Sequence, residues 1–121
     1  MSQSESSSKT IGDRGEQFVK NHLAAQQWQI LAEQWHCRWG ELDLVAYHPT
    51  QKIVAFVEVK TRRHGSLDQQ GILSITPSKQ RKTIKAALQF LSEFPQYENC
   101  GCRFDVALVI HHGDRLTLAQ Y

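Results

Sequence analysis

The sequence predicts one α/β domain in which helices flank a mixed β-sheet, and three observations support this fold class. The chain has 121 residues, of which 40% are hydrophobic and 21% charged, a balance typical of a single globular core. Segments with helical and strand-like periodicity follow one another in the order helix, three strands, helix, two strands. No internal repeat or Pro/Gly-rich linker divides the sequence. We therefore expect residues 11–121 to form one compact α/β sandwich.

The first predicted helix covers residues 11–27, where apolar side chains recur at helical spacing. Thr10 belongs to a residue type that caps helix N-termini, and Glu16 lies at the edge of the apolar stripe. Residues 1–10 are rich in serine and lack the apolar segment of a signal peptide, so we expect a disordered tail. No apolar run approaches the roughly 20 residues that span a bilayer, which predicts a cytoplasmic protein.

Three strands are predicted next, and the first begins near residues 28–30. A second strand covers residues 41–47, where apolar and polar side chains alternate. One face of this strand carries Leu42, Leu44 and Ala46, and the other carries Glu41, Asp43 and Val45. A turn at residues 48–51 then leads into a third, valine-rich strand over residues 53–60.

The second half of the chain is predicted to contain a helix between a polar loop and two further strands. Thr76 is a favourable cap, and Pro77 is favoured at the first helical position. The predicted loop, helix, buried strand and final strand cover residues 62–74, 77–94, 104–110 and 115–119.

The turn between the second and third strands determines which side chains face each other. Placed at one of two adjacent positions, a two-residue turn pairs Asp43 either with Phe56 or with Glu58. Because side chains alternate with period two, either register puts Asp43, Glu58 and Lys60 on one face of the sheet. The sequence therefore predicts two carboxylates and an ammonium group side by side.

Two neighbouring carboxylates repel each other unless positive charge lies between them. Lys60 supplies one charge, and a hard divalent cation with oxygen ligands, Mg²⁺ or Mn²⁺, would supply two more. Such a site activates water and stabilises charge on a phosphodiester. The alternative is a solvated strand face with a weak Glu58–Lys60 ion pair. The apolar run at residues 53–57 favours the functional interpretation, because charges that end a buried strand more often line a functional edge.

Basic side chains form two clusters near these acidic residues. The second helix presents four of them within an arc of about 160°: Lys79, Arg81, Lys82 and Lys85. The opposite arc is apolar and is expected to pack against the sheet; it comprises Ile84, Ala87, Leu88, Leu91 and Phe94. The second cluster follows the third strand and comprises Lys60, Arg62, Arg63 and His64. Phosphate backbones bind such surfaces by counterion release, so DNA is the expected partner; a solvated helix face is the alternative.

The three cysteines predict no disulfide framework, since their number is odd and nothing indicates secretion. Cys37, Cys100 and Cys102 also lack the paired Cys-x₂-Cys spacing that is typical of a zinc site. Arg38 and Trp39 precede the acidic strand, where they contact a phosphate or a base, or else Trp39 packs in the core.

Four short motifs, taken together, resemble one protein family. They are Gly12-x-x-Gly15-Glu16, Arg38-x-Gly40-Glu41-Leu42-Asp43-Leu44-Val45, Phe56-Val57-Glu58-Val59-Lys60 and Arg103-Phe104-Asp105-Val106. The combination extends over residues 11–110 and resembles the YraN-type family of small bacterial proteins, although each motif alone has low specificity. That family is similar in turn to Holliday-junction resolvases and to restriction endonucleases of the PD-(D/E)xK type.

The resemblance implies a restriction-endonuclease-like αβββαβ core and a metal-dependent nuclease site. It implies that Asp43 and Glu58 bind the metal, with the Val59 carbonyl as a third ligand. It also implies that Lys60 is the catalytic lysine. Because Gly40-Glu41-Leu42-Asp43 stands where these enzymes have a Pro-Asp pair, Glu41 is a competing ligand.

The same resemblance adds two candidate residues and an expected assembly. Glu16 matches the helix acid of the resolvase-like branch, and Gln80 matches a polar active-site residue on the second helix. Resolvase-like relatives act as dimers, so a homodimer is expected by analogy.

The leading hypothesis from the sequence is a metal-dependent endonuclease that hydrolyses phosphodiesters in DNA. No base-reading element is apparent, which favours recognition of nucleic-acid structure over recognition of sequence. A catalytically silent nucleic-acid-binding adaptor with the same fold is the alternative, and a protein-interaction module is a third, because a fold does not determine its chemistry.

Overall fold

The computed structural model describes residues 7–63, 76–113 and 115–120 of the chain. Within these ranges the chain forms two α-helices, one 3₁₀ turn and five strands. In chain order they are α1 (Ser7–Ala25), β1 (Gln29–Cys37), β2 (Gly40–His48), β3 (Ile53–Arg63), α2 (Pro77–Glu93), the 3₁₀ turn (Pro95–Tyr97), β4 (Gly101–His112) and β5 (Arg115–Gln120). This is the predicted order of elements, and the αβββαβ core is confirmed.

The five strands form one mixed sheet in the order β1-β2-β3-β4-β5. Neighbouring strands are antiparallel except β3 and β4, which are parallel. Parallel neighbours need a crossover connection, because the chain must return to the same end of the sheet, and α2 lies within that connection.

Each face of the sheet has its own hydrophobic core. On the first face, α1 packs Val19 and Leu23 against Leu44, Val57 and Val109. On the second face, α2 packs its buried side chains, Ala86, Ala87 and Phe90, against apolar residues of β2 and β3 that include Val45, Val54 and Phe56. The sheet therefore lies between the two helices, as the sequence predicted.

Helix α1 begins earlier than the sequence indicated. It starts at Ser7, so Thr10 lies inside the helix, and the prediction that Thr10 caps it is wrong. Residues 7–10, assigned to a disordered tail, are helical, whereas residues 1–6 lie outside the described part of the chain. Gly15 allows α1 to approach β3 closely, because a Cβ atom at this position would overlap Oγ1 of Thr61.

Helix α2 begins and ends within one residue of the prediction, but the face that packs on the sheet is rotated. Three residues of the predicted apolar arc do pack there, namely Ala87, Leu91 and Phe94. Thr76 caps it, since its hydroxyl accepts a hydrogen bond from the Lys79 amide at 3.2 Å. Ile84 and Leu88 were expected to pack inward, yet they are 46% and 61% exposed. Phe90 points inward instead and contacts Trp35 edge-on, with ring centroids 5.3 Å apart. The larger aromatic contact explains the rotation, since it buries more apolar surface.

Strand β1 begins at Gln29, within residues 28–30 where the sequence placed its start, and continues to Cys37, an end that the sequence did not predict. It is an edge strand, and its register with β2 shifts between Ile30 and Ala32. This irregularity interrupts the alternation that would have identified a strand. The predicted loop at residues 62–74 falls mostly on residues 64–75, which lie outside the described part of the chain. Neither helix in that part is long and apolar enough to cross a lipid bilayer.

Candidate active site

Of the two predicted registers, strands β2 and β3 adopt the one that aligns Asp43 with Glu58 rather than with Phe56. Leu44 pairs with Val57, and the pairing continues to His48 and Ile53 at the turn. The pairing ends at Leu44 and Val57, one residue before Asp43 and Glu58. The connecting loop, residues 49–52, is longer than the predicted two-residue turn. Because the added length is an even number of residues, the register stays one of the two that were predicted.

The alternation of side chains is interrupted at Asp43. Leu44 lies in the core under α1, as alternation requires, but Leu42 lies in the core under α2 together with Val45. The prediction that Leu42 and Leu44 share a face is therefore wrong. The neighbouring residue in β1, Gln34, has φ = 46°, so both strands are irregular at this point.

Because of this irregularity, the Asp43 carboxylate lies in the gap between β2 and β3. Its Oδ2 accepts a hydrogen bond from the Val59 amide at 2.9 Å. Strand amides point in the plane of the sheet toward the neighbouring strand, so the carboxylate occupies the position of a ladder acceptor. The Val59 carbonyl points to the same side as its amide, beyond the last paired residues of β2 and β3.

Glu58 and Lys60 form an ion pair next to Asp43. The distance from Lys60 Nζ to Glu58 Oε2 is 2.9 Å, and the two side chains are 20% and 37% exposed, respectively. Oδ1 of Asp43 and Oε1 of Glu58 make no hydrogen bond or ion pair with the described residues. Two carboxylate oxygens thus remain able to accept another ligand.

The surroundings of Asp43 raise the pKa of its carboxyl group. The pKa of Asp43 is raised mainly by burial and further by the charges of Glu58 and Glu41, while the Val59 hydrogen bond and Lys60 oppose the increase. Desolvation and mutual repulsion both disfavour a second negative charge here. The arrangement therefore favours binding of a cation.

Glu16 interacts electrostatically with this cluster from the other side of the sheet. Gln34 Nε2 donates to both carboxylate oxygens of Glu16, at 3.1 and 3.3 Å. Burial raises the pKa of Glu16, the Gln34 hydrogen bond lowers it, and Asp43 and Asp13 raise it further. Glu16 lines a recess of about 390 Å³ between α1 and β1, separate from the cleft that contains Asp43.

A larger cleft, of about 650 Å³, lies on the α2 side of the sheet. Its lining brings the predicted acidic residues Asp43 and Glu58 together with Gln80, the polar residue predicted on α2. Lys60 does not line the cleft itself and reaches it through its ion pair with Glu58. Four of the five predicted catalytic residues are therefore in or next to one cleft, and Glu16 is the exception.

The predicted basic residues fall into three groups. Lys79 and Lys82 line the cleft, and Arg81 is exposed on the same helix. A second group surrounds the Trp39 ring: Arg38 Cζ lies 4.6 Å and Lys85 Nζ lies 4.4 Å from its centroid.

The third group lies at the end of β3. There Arg62 donates to the Thr61 carbonyl at 2.9 Å, and Arg63 is exposed. His64 lies outside the described residues.

Two residues at the site were not identified from the sequence. Gln34 holds Glu16, but no sequence pattern distinguishes it. Phe104 was assigned to a buried strand, yet it is 47% exposed and lines the cleft. The only feature of the sequence that indicated its exposure was the presence of charged neighbours, Arg103 and Asp105. The position of a strand within a sheet cannot be predicted from the residues of that strand alone.

The described residues can be tested for fit to a divalent cation. No group of three or more His, Cys, Asp or Glu side chains among them is arranged to hold a metal ion. Mg²⁺ does not need three, because it binds proteins through one or two carboxylates and keeps several waters. Asp43 and Glu58, with the Val59 carbonyl, fit this donor set. The cysteines at positions 37, 100 and 102 are free and form no such group.

The fold and the site define an αβββαβ domain with a carboxylate–lysine cluster at the point where two central strands separate. The model of "Uncharacterised protein family UPF0102" matches residues 15–109, and the chain belongs to this family. The resemblance to the YraN-type family is thereby confirmed. All candidate residues from Glu16 to Lys85 lie within the matched region.

Relatives in cyanobacteria are similar over most of their length. The UPF0102 protein tll1737 of Thermosynechococcus vestitus is 51% identical over 111 residues, which cover 92% of this chain and 89% of the relative. A UPF0102 protein of Synechococcus sp. (strain JA-3-3Ab) is 52% identical over 101 residues, 84% of this chain and 76% of the relative. The UPF0102 protein sll0189 of Synechocystis sp. is 44% identical, covering 85% and 69%.

Proposed function

We propose that this protein is a metal-dependent endonuclease that hydrolyses phosphodiesters in DNA. One observation carries the proposal: Asp43 and Glu58 line one cleft from adjacent strands and interact electrostatically, with the Lys60 ammonium 2.9 Å from Glu58 and with Lys79 and Lys82 lining the cleft from α2. Paired carboxylates next to a lysine suit hydrolysis of an anionic ester, because the reaction needs both cationic charge and an oriented water.

Asp43 and Glu58 would hold a Mg²⁺ or Mn²⁺ ion through the two oxygens that have no partner among the described residues, with the Val59 carbonyl pointing to the same gap. When bound, the ion would supply Lewis-acid activation of a water and neutralise charge on the phosphodiester. The hydrogen bond from the Val59 amide fixes the orientation of the Asp43 carboxylate, so the ligand is held in position before the ion arrives.

Lys60 is positioned to act on the water or on the scissile phosphate. Its ion pair with Glu58 holds the ammonium group near the metal ligands, and its partial burial limits competing hydration. Gln80 lines the cleft opposite these strands and can donate its amide to a phosphate oxygen. The chain thus presents donors on two sides of one cleft.

The basic residues define a path for the DNA backbone. Lys79 and Lys82 line the cleft. Trp39, whose ring contacts the cationic groups of Arg38 and Lys85, lies at the N-terminal end of β2. Trp39 restricts the side chains of Arg38 and Lys85, so less conformational entropy is lost when they bind phosphate. These contacts recognise backbone and shape, and they contain no element that reads base edges.

A catalytically silent nucleic-acid-binding adaptor is the second candidate. It is favoured by the hydrogen bond that already occupies one oxygen of Asp43, which gives the carboxylate a structural role without metal. In that case the basic residues retain their function, and the carboxylates only maintain the separation of β2 and β3.

A cleavage assay separates the two candidates. A four-way DNA junction, a single-stranded flap and a continuous duplex of matched sequence are incubated with protein and Mg²⁺, or with EDTA. The nuclease proposal expects Mg²⁺-dependent cleavage that falls at least about 100-fold in Glu58→Gln and Lys60→Met. Lys52→Met is the matched control and should cleave normally, because Lys52 lies in the turn before β3, at the far end of that strand from Lys60. Binding without cleavage of any substrate would reject the nuclease in favour of the adaptor.

A further inference from the structure

Phe104 places an exposed aromatic surface in the cleft. Its side chain is 47% exposed, and it lies on β4 before residues 107–112, which pair with β5. It stacks on Phe56, with ring centroids 5.3 Å apart and an angle of 25° between the planes. Phe56 is only 3% exposed, so the pair has a buried member and a solvent-facing member. Leaving half of an aromatic ring in water has a hydrophobic cost that a stacking ligand would remove.

The parallel pairing of β3 and β4 fixes this aromatic surface relative to the candidate metal ligands. Phe56 pairs with Phe104, and Glu58 is two residues further along β3. Side chains two residues apart on a strand share a face and are separated by roughly 7 Å. A planar group stacked on Phe104 would therefore lie next to Glu58 and the reacting centre.

The chemistry of the cleft identifies the planar group. Ile84 of α2 is 46% exposed and also lines the cleft, so it adds apolar surface beside the aromatic ring. Lys79 and Lys82 line the same cleft and add positive charge. An apolar slot with a stacking surface and adjacent cations complements a nucleobase joined to its phosphates, and its volume of about 650 Å³ is within the range of ligand sites.

We propose that the cleft binds one unpaired nucleobase, which stacks on Phe104 while Lys79 and Lys82 contact the adjoining phosphates. The inference rests on the proposed function and specifies its substrate class: DNA strands with unpaired nucleotides, rather than continuous duplex. A base inside a duplex is stacked on both sides, and it must leave the helix before it can stack on a side chain. Single-stranded or branch-point nucleotides avoid that cost.

The test uses 2-aminopurine, a base whose fluorescence decreases on stacking, placed in a single-stranded oligonucleotide and in the matching duplex. Binding is measured without divalent cations, so that cleavage does not interfere. The full-length protein should quench the single strand, and Phe104→Leu should weaken that binding between about fivefold and about 100-fold, the range for loss of one base stack. Duplex binding through the lysines should change less than about twofold.

Two further variants make the result specific to stacking. Phe104→Trp retains an aromatic face and should retain quenching and affinity. Leu88→Ala is the matched control, since Leu88 is 61% exposed on α2 but does not line the cleft, and it should behave like the wild type. Circular dichroism melting of each variant checks the fold.

The possible failures are distinguishable. If the wild type binds DNA but Phe104→Leu binds both oligonucleotides as tightly as the wild type, or weakens both equally, the stacking site is refuted and the proposed function is unaffected. If the wild type binds neither oligonucleotide, DNA binding itself is refuted, and the stacking site with it.

Discussion

Replacing Gly15 with alanine should destabilise the protein through a contact between α1 and β3. The new Cβ atom would overlap Oγ1 of Thr61, closer than Cβ atoms approach neighbouring atoms in real proteins. Overpacking of this kind costs about 1–3 kcal/mol, while alanine gains about 1 kcal/mol over glycine in a helix. We expect a net loss of up to about 2 kcal/mol in the free energy of unfolding.

A double-mutant cycle isolates that contact. In a Thr61→Ala background the overlapping oxygen is absent, so Gly15→Ala should become neutral or stabilise the protein by up to about 1 kcal/mol. The expected coupling between the two sites is therefore about 1–3 kcal/mol. Urea unfolding of the wild type, both single variants and the double variant measures it.

The outcome matters for the site because Glu16 follows Gly15 and interacts electrostatically with Asp43. Displacing α1 from β3 would move the Glu16 carboxylate away from the cluster. If Gly15→Ala shows no coupling to Thr61→Ala, the close packing of α1 on β3 is refuted, and with it the placement of Glu16 near the cluster.

Three further predictions concern charge, binding and packing. Glu16→Gln should stabilise the metal-free protein at neutral pH but not in acid. Because the pKa of Glu16 is raised in the folded state, its contribution to stability is complete below the unfolded pKa and is lost as pH rises through the folded pKa. The melting temperatures of wild type and variant should therefore converge at low pH. Lys82→Ala with Lys85→Ala should weaken DNA binding for all sequences and reduce the salt slope by about 0.9 per lost phosphate contact, as fluorescence anisotropy will show; an unchanged slope would contradict it. Phe90→Ala should cost about 3–5 kcal/mol in urea unfolding, whereas Leu88→Ala should change stability by less than about 0.5 kcal/mol; the reverse order would refute the orientation of α2.

The β2–β3 hairpin illustrates what the sequence could predict. The period-two pattern and an even-length turn are local properties, and they left two registers open, one of which is the observed register that pairs Leu44 with Val57. The irregularity at Asp43 was not predictable, because it depends on the left-handed backbone of Gln34 in the neighbouring strand and on the Val59 amide. No local pattern records contacts between separate strands.

Helix α2 shows a second limit. Its bounds followed from the cap at Thr76 and from the position of Pro95, both of which are local signals. Its orientation did not, since counting apolar residues gave Ile84 and Leu88 the same weight as the residues that face the sheet. The contact of Phe90 with Trp35, which determines the orientation, joins residues far apart in the chain.

Predicting the aromatic pair in the cleft from the sequence would require knowledge of which distant strands are neighbours in the sheet. Phe56 and Phe104 stack because β3 and β4 are parallel neighbours, and that pairing depends on the crossover through α2. A one-residue difference in register would have turned Phe104 to the other face of the sheet.

The central claim is that Asp43 and Glu58 together hold one divalent cation, and calorimetric titration with Mn²⁺ tests it most directly. The wild type should bind one ion, in the free protein or with DNA present. Asp43→Asn and Glu58→Gln should each abolish binding, because each removes one of two charged ligands.

The same titration of Lys60→Met and of the exposed-site control Glu98→Gln should retain the wild-type stoichiometry, since neither residue is a ligand in this account. The account predicts loss in the first pair of variants and retention in the second. Absence of Mn²⁺ binding by the wild type under both conditions, or binding that survives in Asp43→Asn, would contradict it.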